Sequence, residues 1–484
     1  MGRITTFGED ARIALDSIGD SASDFFNPTL RFGVTGLSRA GKTVFITALV
    51  HNLLHGGRLP LFSAHAEGRL AQARLEPQPD DAVPRFRYED HLARLLDERE
   101  WPGSTTAISE LRLRLEFESA SGWSRTFGAG QLTLDIVDYP GEWLLDLPLL
   151  GKDYAQWSRE AVALSRLPNR APLATDWHEA AAGVSPLSQA DEADARRLAE
   201  RFTAYLRACR QDGTALSTLP PGRFLMPGDL ENSPALTFAP LDLPEGADIP
   251  SGSLAAMMAR RYDAYRDIVV RPFFRNHFAR IDRQIVLVDV LNALNAGPEA
   301  VADLEGALSD ILACFNHGRR TWLASLFAPR TDRILFAATK ADHLHHENHD
   351  RLEAILQRLI EKARERAQFA GAETAAMAVA AVRATTEAVK EMDGEEIGVI
   401  VGTPLAGEAL GRKRFDGETR TALFPGDLPV KPQDALSGTW ERDQLHFLRF
   451  RPPPLERTAE GITLSLPHIR LDRALEFLLG DRLA

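Results

Sequence analysis

Residues 36–43 (GLSRAGKT) constrain this chain more than any other feature, because they fit the pattern G-x-x-x-x-G-K-[ST]. A short apolar run, residues 30–35 (LRFGVT), precedes them, and apolar residues at helical spacing follow from position 44 to position 54. A glycine loop between a strand and a helix lets backbone N–H groups approach phosphate without obstruction by side chains. We therefore expect a phosphate-binding loop at this position.

Two side chains of the loop have distinct expected roles. Lys42 should reach the β- and γ-phosphates of a nucleotide, and Thr43 should ligate Mg²⁺, a hard cation that prefers oxygen. The alternative is an ordinary glycine turn with an exposed lysine. The nucleotide-contacting residues expected here are Ser38, Arg39, Ala40, Gly41, Lys42, Thr43 and Val44.

Residues 138–141 (DYPG) end the apolar run 132–137 and match D-x-x-G. A carboxylate at a strand end can hold Mg²⁺ through water, and a glycine N–H can meet the γ-phosphate. We assign these roles to Asp138 and Gly141; the alternative is a strand-ending aspartate in a turn.

Glu142 replaces the glutamine that usually positions water. Its charge would repel phosphate unless the side chain turns away or acts on the water, so compensating charge must come from elsewhere.

Residues 339–342 (TKAD) follow the apolar run 334–338 and match [NT]-K-x-D, the guanine-reading element of GTPases. Guanine offers N1–H and an exocyclic amino group to the two oxygens of Asp342, whereas adenine would leave a buried charge unpaired. Lys340 and His343 are expected nucleotide contacts. The alternative is a solvated Lys/Asp pair.

Residues 383–385 (RAT) stand where GTPases present a backbone N–H to guanine O6, which makes Ala384 and Thr385 candidate contacts. The segment alone is uninformative. The four elements, however, fall in order on successive strand ends, where α/β sheets bind their ligands. Apolar strands alternate with helical patterns along the chain, so we predict an α/β fold with a parallel sheet.

Composition narrows the function classes further. The 484 residues are 44% apolar and 26% charged, which is typical of a folded globular protein. The net charge of −12 makes nucleic acid a poor candidate partner. Two cysteines fit a reducing cytoplasm, and neither a signal peptide nor a run of about 18 apolar residues is present, so no transmembrane segment is predicted. The pattern Met1-Gly2 with Thr6 leaves a peripheral membrane contact open.

Nearly end to end, the chain resembles the YcjX-like family of bacterial P-loop NTPases. The motifs that carry the resemblance are GLSRAGKTVFITALVHNLL, WPGSTTAISELRL, DYPGEWLLDLPLL, RQIVLVDVLNALNAGP, TKADH and VRATTE. The resemblance implies a Ras-like GTPase core, a mostly helical insertion, added elements near both ends and an association with stress. The predicted division is an N-terminal helical segment (1–27), the core (28–150 and 281–390, with a switch-region insertion at 57–104), the helical insertion (151–280) and a C-terminal α+β extension (391–484).

Within this resemblance, residues 101–106 (WPGSTT) occupy a switch region in which GTPases use a threonine. Thr105 is the expected ligand of Mg²⁺ and the γ-phosphate, and Thr106 is the next choice. Trp101 is expected either to shield the nucleotide or to pack, and Ser104 is a further candidate nucleotide contact. The alternative is that these serine and threonine residues are ordinary turn residues before a strand.

Arg39 gives the glycine loop a second resemblance, to the G-x-x-R-x-G-K-[ST] loop of guanylate-binding proteins and atlastins. There the arginine swings over the phosphates as a finger in cis. The alternative is that Arg39 points to solvent or pairs with a nearby carboxylate. The rest of the chain does not resemble those proteins.

The expected function is Mg²⁺-dependent GTP binding with slow hydrolysis to GDP, used as a conformational switch towards an unidentified protein partner. The residues expected to act in hydrolysis are Lys42, Arg39, Thr105, Gly141 and Glu142. The rival hypotheses are a nucleotide-dependent scaffold without relevant turnover and an ATPase. An ATPase would leave Asp342 unexplained.

Overall fold

A computed structural model describes residues 28–484 apart from several stretches. Those outside the description are 38, 79, 104, 106, 121–129, 213–218, 228–229, 232, 245, 247, 314–330, 362–363, 366–367, 369–370, 393–394, 438–444 and 455–464. The predicted N-terminal helical segment, residues 1–27, lies outside the described residues, and so do the candidate contacts Ser38, Ser104 and Thr106.

A sheet with mainly parallel pairing lies at the centre, so the chain is an α/β protein as predicted. Its described strands are β1 (Thr29–Gly36), β2 (Leu70–Glu76), β3 (Ser109–Phe117), β4 (Gly130–Asp138), β5 (Arg283–Val288), β6 (Arg333–Ala338) and β7 (Glu373–Ala378). They run in the order β2-β3-β4-β1-β5-β6-β7. β1 is parallel to β4 and β5, and β6 is parallel to β5 and β7. β3 is antiparallel to β2 and β4.

The helices connect these strands and fill the long segment between β4 and β5. They are α1 (Lys42–Leu54), α2 (Ser63–Ala66), α3 (Tyr88–Ala93), α4 (Tyr154–Ser165), α5 (Ala171–Ala182), α6 (Glu192–Gln211), α7 (Leu254–Tyr265), α8 (Arg271–Asn276), α9 (Val290–Ala296), α10 (Pro298–Ala313), α11 (His349–Leu359), α12 (Pro432–Ser437) and α13 (Leu471–Leu479). In the described part of the chain, no helix has the length and apolarity needed to cross a membrane.

Apolar side chains cover both faces of the sheet, as expected for buried parallel strands. On one face, Phe32 of β1 belongs to a core that includes Ile46 of α1 and Leu475 of α13. On the other face, Val286 of β5 belongs to a core with Ile355 of α11. The predicted C-terminal extension therefore packs, through α13, against the sheet that carries the glycine loop.

The segment between β4 and β5 has an aromatic core of its own. Trp157 of α4 stacks on Tyr262 of α7, with ring centroids 5.1 Å apart. Asp191 caps the start of α6, because its carboxylate accepts hydrogen bonds from two N–H groups of the first turn. We call residues 154–276, which carry α4 to α8, the helical region.

A second antiparallel sheet follows β7, with the described strands β8 (Thr386–Met392), β9 (Glu395–Gly402) and β12 (Thr421–Leu423) in the order β12-β9-β8. Two-residue strands β10 (Ala409–Leu410) and β11 (Lys413–Arg414) pair with each other. The predicted border between residues 390 and 391 lies within β8. The apolar run 377–382 predicts a strand of that length, but β7 ends at Ala378 and Ala380 instead pairs with Ile469. Residues 379–382 are apolar because they are largely buried, not because they extend the sheet.

Candidate functional site

The glycine loop joins the carboxyl end of β1 to the first turn of α1. Gly41 has φ 87° and Arg39 has φ 65°, so both adopt the left-handed conformation. A Cβ atom on Gly36 would lie 2.5 Å from the carbonyl oxygen of Leu287, so that position requires glycine. Gly41 precedes α1 without a side chain to cap it, which leaves the N–H groups of the first turn for another acceptor.

Lys42 and Thr43 are the first residues of α1, and both are buried. The ammonium group of Lys42 donates to the carbonyl oxygen of Gly36 at 3.1 Å. Burial lowers the pKa of Lys42, while the carboxylates of Asp138 and Glu142 oppose that change. The cation is thus held inside the loop beside two acidic groups. Among the other loop candidates, Ala40 is buried, Val44 is half-buried and Arg39 is exposed.

Oxygen atoms of three side chains meet at the start of α1. The hydroxyl of Thr105 donates to Oδ2 of Asp138 at 2.7 Å and lies 3.3 Å from the hydroxyl of Thr43. Oδ1 of Asp138 is buried and has no hydrogen-bond partner among the described residues. Burial raises the pKa of Asp138 to about 6, against the opposing effect of Lys42. An unpartnered carboxylate oxygen beside two hydroxyls fits the oxygen ligands that Mg²⁺ prefers.

Gly141 begins a 3₁₀ segment, Gly141–Gly151, directly after β4 and Pro140. A Cβ atom on Gly141 would lie 2.0 Å from the carbonyl oxygen of Gly36. The backbone after β4 therefore touches the glycine loop, and no larger residue fits there. This contact brings the D-x-x-G and G-x-x-x-x-G-K-[ST] segments together.

Glu142 is paired with a cation that sequence analysis did not identify. Its side chain is 4% exposed, and Oε1 lies 3.0 Å from Nη2 of Arg210, in the last turn of α6. The compensating charge that the sequence analysis required is therefore present in the helical region. No local pattern could have found Arg210, because a single arginine near a helix end has no distinguishing spacing.

The T-K-x-D and R-A-T segments also touch each other. Oδ2 of the buried Asp342 accepts the backbone N–H of Ala384 at 2.9 Å, and the hydroxyl of Thr385 donates to the backbone carbonyl of Asp342. Lys340 is left-handed at φ 62° and forms an ion pair with Asp289, which also caps α9. Asp289 thus joins the loops that follow β5 and β6.

An aromatic cluster lies next to Asp342. The ring of His343 meets Phe450 edge to face, with centroids 5.4 Å apart, and burial lowers the pKa of His343. The indole N–H of Trp101 donates to the carbonyl of Phe450 at 2.6 Å. Trp101 therefore packs against the segment after β12. Phe450 was missed because nothing in its local sequence indicates a contact with the residues after β6.

A cavity of about 810 Å³ connects these elements. Its lining includes Arg39, Ala40, Gly41, Lys42, Thr43, Val44, Trp101, Thr105, Glu142, Lys340, Asp342, His343 and Phe450. The remaining described candidates do not line the cavity but contact residues that do. Asp138 contacts Thr105, and Gly141 contacts the glycine loop. Ala384 and Thr385 both contact Asp342. The structure therefore brings the described candidates together around one cavity of a size suited to a small-molecule ligand.

Comparison with known proteins agrees with the resemblance seen in the sequence. The model of the YcjX-like family, DUF463, matches residues 30–483. A protein of Escherichia coli (strain K12) named Ras-like GTPase YcjX is 41% identical over 466 residues, which cover 94% of this chain and 96% of the relative. A protein of Shewanella oneidensis with the same name is 35% identical over 475 residues, which cover 94% of each.

Proposed function

This chain belongs to the YcjX-like family, and we propose that it binds guanine nucleotides with Mg²⁺, hydrolyses GTP slowly to GDP and acts as a conformational switch. The observation that carries the proposal is the single cavity that reaches from the glycine loop to Asp342. A phosphate loop alone fits many nucleotides, whereas a buried carboxylate at the other end selects the base. Both relatives are named Ras-like GTPase, which supports the same class of ligand.

At the phosphate end, Lys42 would pair with the β- and γ-phosphates, and the loop N–H groups would bind the remaining oxygens. Thr43, Thr105 and Asp138 would hold Mg²⁺, which when bound would supply positive charge to the phosphates. The unpartnered Oδ1 of Asp138 and the adjacent hydroxyls support this assignment. At the base end, Asp342 would accept N1–H and the amino group of guanine, with the N–H of Ala384 at O6.

The switch would comprise the segments that contain Thr105 and Gly141. A γ-phosphate held by both residues would order the two segments, and its loss would release them. The 3₁₀ segment after Gly141 contacts the helical region, which supports a role for that region in passing the change to a protein partner. Exposed leucines 164, 167 and 187 on the helical region are compatible with such a surface.

We retain the domain division predicted from the sequence as a proposal. The separate aromatic core of the helical region supports an insertion between two parts of a GTPase core. Because β8 crosses residue 391 and α13 packs on the central sheet, the extension is joined to the core at both ends. The cytoplasmic location and the stress-related role stay predictions.

One observation favours a second candidate, a guanine-nucleotide-dependent scaffold without relevant turnover. The residue after D-x-x-G is an ion-paired glutamate, and an ion-paired carboxylate is less available than a glutamine to orient water. Single-turnover hydrolysis with and without candidate partners separates a switch from a scaffold.

The first experiment is identification of the nucleotide that co-purifies with the protein, followed by titration calorimetry with GTP, GDP and ATP in the presence of Mg²⁺. We expect guanine nucleotide in the purified protein and a preference for GTP over ATP of at least about 100-fold. Equal affinity for GTP and ATP would contradict the proposed role of Asp342.

A further inference from the structure

The ion pair between Glu142 and Arg210 lies at the junction of the central sheet and the helical region. Glu142 directly follows the glycine that touches the phosphate loop, and it lines the cavity. Arg210 comes from the other side of the junction, at the end of α6, and is not among the residues that line the cavity. Nη2 of Arg210 lies 3.0 Å from Oε1 of Glu142. Arg210 therefore contacts the cavity lining at Glu142 and can influence the site through that side chain.

Four charged side chains gather at this point. Asp138, Glu142 and Arg210 all lie close enough to Lys42 to act on it electrostatically. Asp138 and Glu142 bring two negative charges, and Lys42 and Arg210 bring two positive charges, so the cluster is balanced. Since Glu142 is almost fully buried, removing Arg210 would leave the cluster with one excess negative charge in a poorly solvated site.

A second set of contacts fixes the helical region against the same segment. Asp146 accepts the N–H of Gly222 at 2.7 Å and the hydroxyl of Tyr265 at 2.6 Å. A Cβ atom on Gly222 would lie 1.8 Å from the carbonyl oxygen of Glu142, so the two backbones are in direct contact. These contacts are separate from the ion pair and hold Glu142 beside the helical region without Arg210.

We infer that Arg210 neutralises Glu142 so that the site can accept a γ-phosphate, which makes this residue of the helical region a determinant of affinity for GTP relative to GDP. The inference rests on the proposed function. Gly141 is the proposed contact of the γ-phosphate, so the next residue, Glu142, would lie nearer to that group than to the α-phosphate. An uncompensated Glu142 would therefore repel GTP more strongly than GDP, because electrostatic repulsion falls with distance. Arg210 is a positioning residue in this scheme and makes no contact with the nucleotide.

The test measures GDP and a non-hydrolysable GTP analogue by titration calorimetry with Mg²⁺ on the full chain. For Arg210→Ala we expect analogue affinity to fall about 10-fold to 100-fold, while GDP affinity changes less than about threefold. Arg210→Lys keeps the charge and should retain most of the analogue affinity. In the Arg210→Ala, Glu142→Gln double variant, no carboxylate remains to be neutralised, and analogue affinity should return to within about threefold of the parent. Arg207→Ala is the matched control, because it removes an exposed arginine from the same helix and should change neither affinity.

Two results would overturn the inference. An unchanged ratio of analogue to GDP affinity in Arg210→Ala would show that Glu142 needs no compensation. Equal loss of both ligands, unrepaired by Glu142→Gln, would show that Arg210 only supports the packing of α6. A parent protein that binds neither nucleotide would instead contradict the proposed function, so the two failures are distinguishable.

Discussion

The backbone N–H of Ala384 donates a hydrogen bond to Oδ2 of Asp342 at 2.9 Å. The carboxylate proposed to read guanine is thus already joined to the N–H proposed to meet O6 of the same base. Asp342 is 4% exposed, and this hydrogen bond satisfies one of its oxygens when no base is bound. Entry of guanine would exchange this internal bond for bonds from N1–H and the amino group, without leaving a buried charge unpaired.

We expect Asp342→Asn to lower GTP affinity by at least about 100-fold, because an amide offers one acceptor oxygen where guanine presents two donors. The same variant should gain affinity for xanthosine triphosphate, whose C2 carbonyl can accept from the asparagine NH₂ group. Titration calorimetry with both nucleotides measures the exchange. GTP affinity equal to that of the parent, with no gain for the xanthine nucleotide, would defeat the guanine assignment.

We expect Lys42→Ala to weaken both GTP and GDP by at least about 100-fold, because it removes the buried cation of the loop. The ammonium group is held 3.1 Å from the carbonyl of Gly36, so it is positioned for phosphate before any ligand binds. Lys390→Ala, on the exposed side of β8, is the matched control and should bind as the parent does. Near-parental affinity of Lys42→Ala would show that the loop does not bind phosphate.

We expect Thr105→Ala to weaken a non-hydrolysable GTP analogue at least about 10-fold in the presence of Mg²⁺ while sparing GDP. The hydroxyl of Thr105 already donates to Asp138, so its position beside the proposed cation site is set. Thr105→Ser keeps the hydroxyl and should retain analogue affinity. Equal weakening of the analogue and GDP would contradict a switch role for this residue.

The parts of this site that lie in short local motifs could be predicted from the sequence, whereas the contacts between distant segments could not. The glycine loop, Asp138 and Asp342 were predictable because each follows an apolar strand within a short motif, and parallel strands bring their carboxyl ends to one edge. The partners of Glu142 and Trp101 were not predictable. Arg210 and Phe450 reach the site through the packing of separate segments, and no spacing in a single sequence records such packing.

The free energy of unfolding should depend on pH through Asp146. Burial raises the pKa of this carboxyl from 3.8 to about 6, although the hydroxyl of Tyr265 and the N–H of Gly222 oppose the change. The folded protein therefore binds this proton more tightly than the unfolded chain, and the resulting stability is complete below about pH 4 and lost as the pH rises through about 6.

Urea unfolding at several pH values checks this expectation. From pH 4 to pH 7, the free energy of unfolding of the parent should fall relative to that of Asp146→Asn, by up to about 3 kcal/mol. Asp248→Asn, an exposed aspartate of the helical region, should follow the parent at every pH. A constant difference between the parent and Asp146→Asn would show that Asp146 does not titrate in this range.

Arg39 should act on the rate of hydrolysis rather than on affinity. Arg39 belongs to the glycine loop and lines the cavity. Its side chain is exposed, and its guanidinium forms no hydrogen bond with the described residues. Its left-handed backbone, at φ 65°, is a conformation that few non-glycine residues adopt, and the strain is the same for alanine. Arg39→Ala therefore removes the guanidinium without changing the backbone requirement. Glu142 is ion-paired with Arg210, so that carboxylate does not hold Arg39 away from the β–γ bridge. Arginine fingers at this position contribute about 10³ to 10⁵ in rate. We expect Arg39→Ala to lower the single-turnover rate by about 10³-fold and GTP affinity by less than about threefold, as expected for an interaction made only in the transition state.

Arg58→Ala, outside the cavity lining, is the matched control for Arg39→Ala and should hydrolyse GTP as the parent does. Hydrolysis at the parental rate by Arg39→Ala would mean that the finger must come from a partner protein.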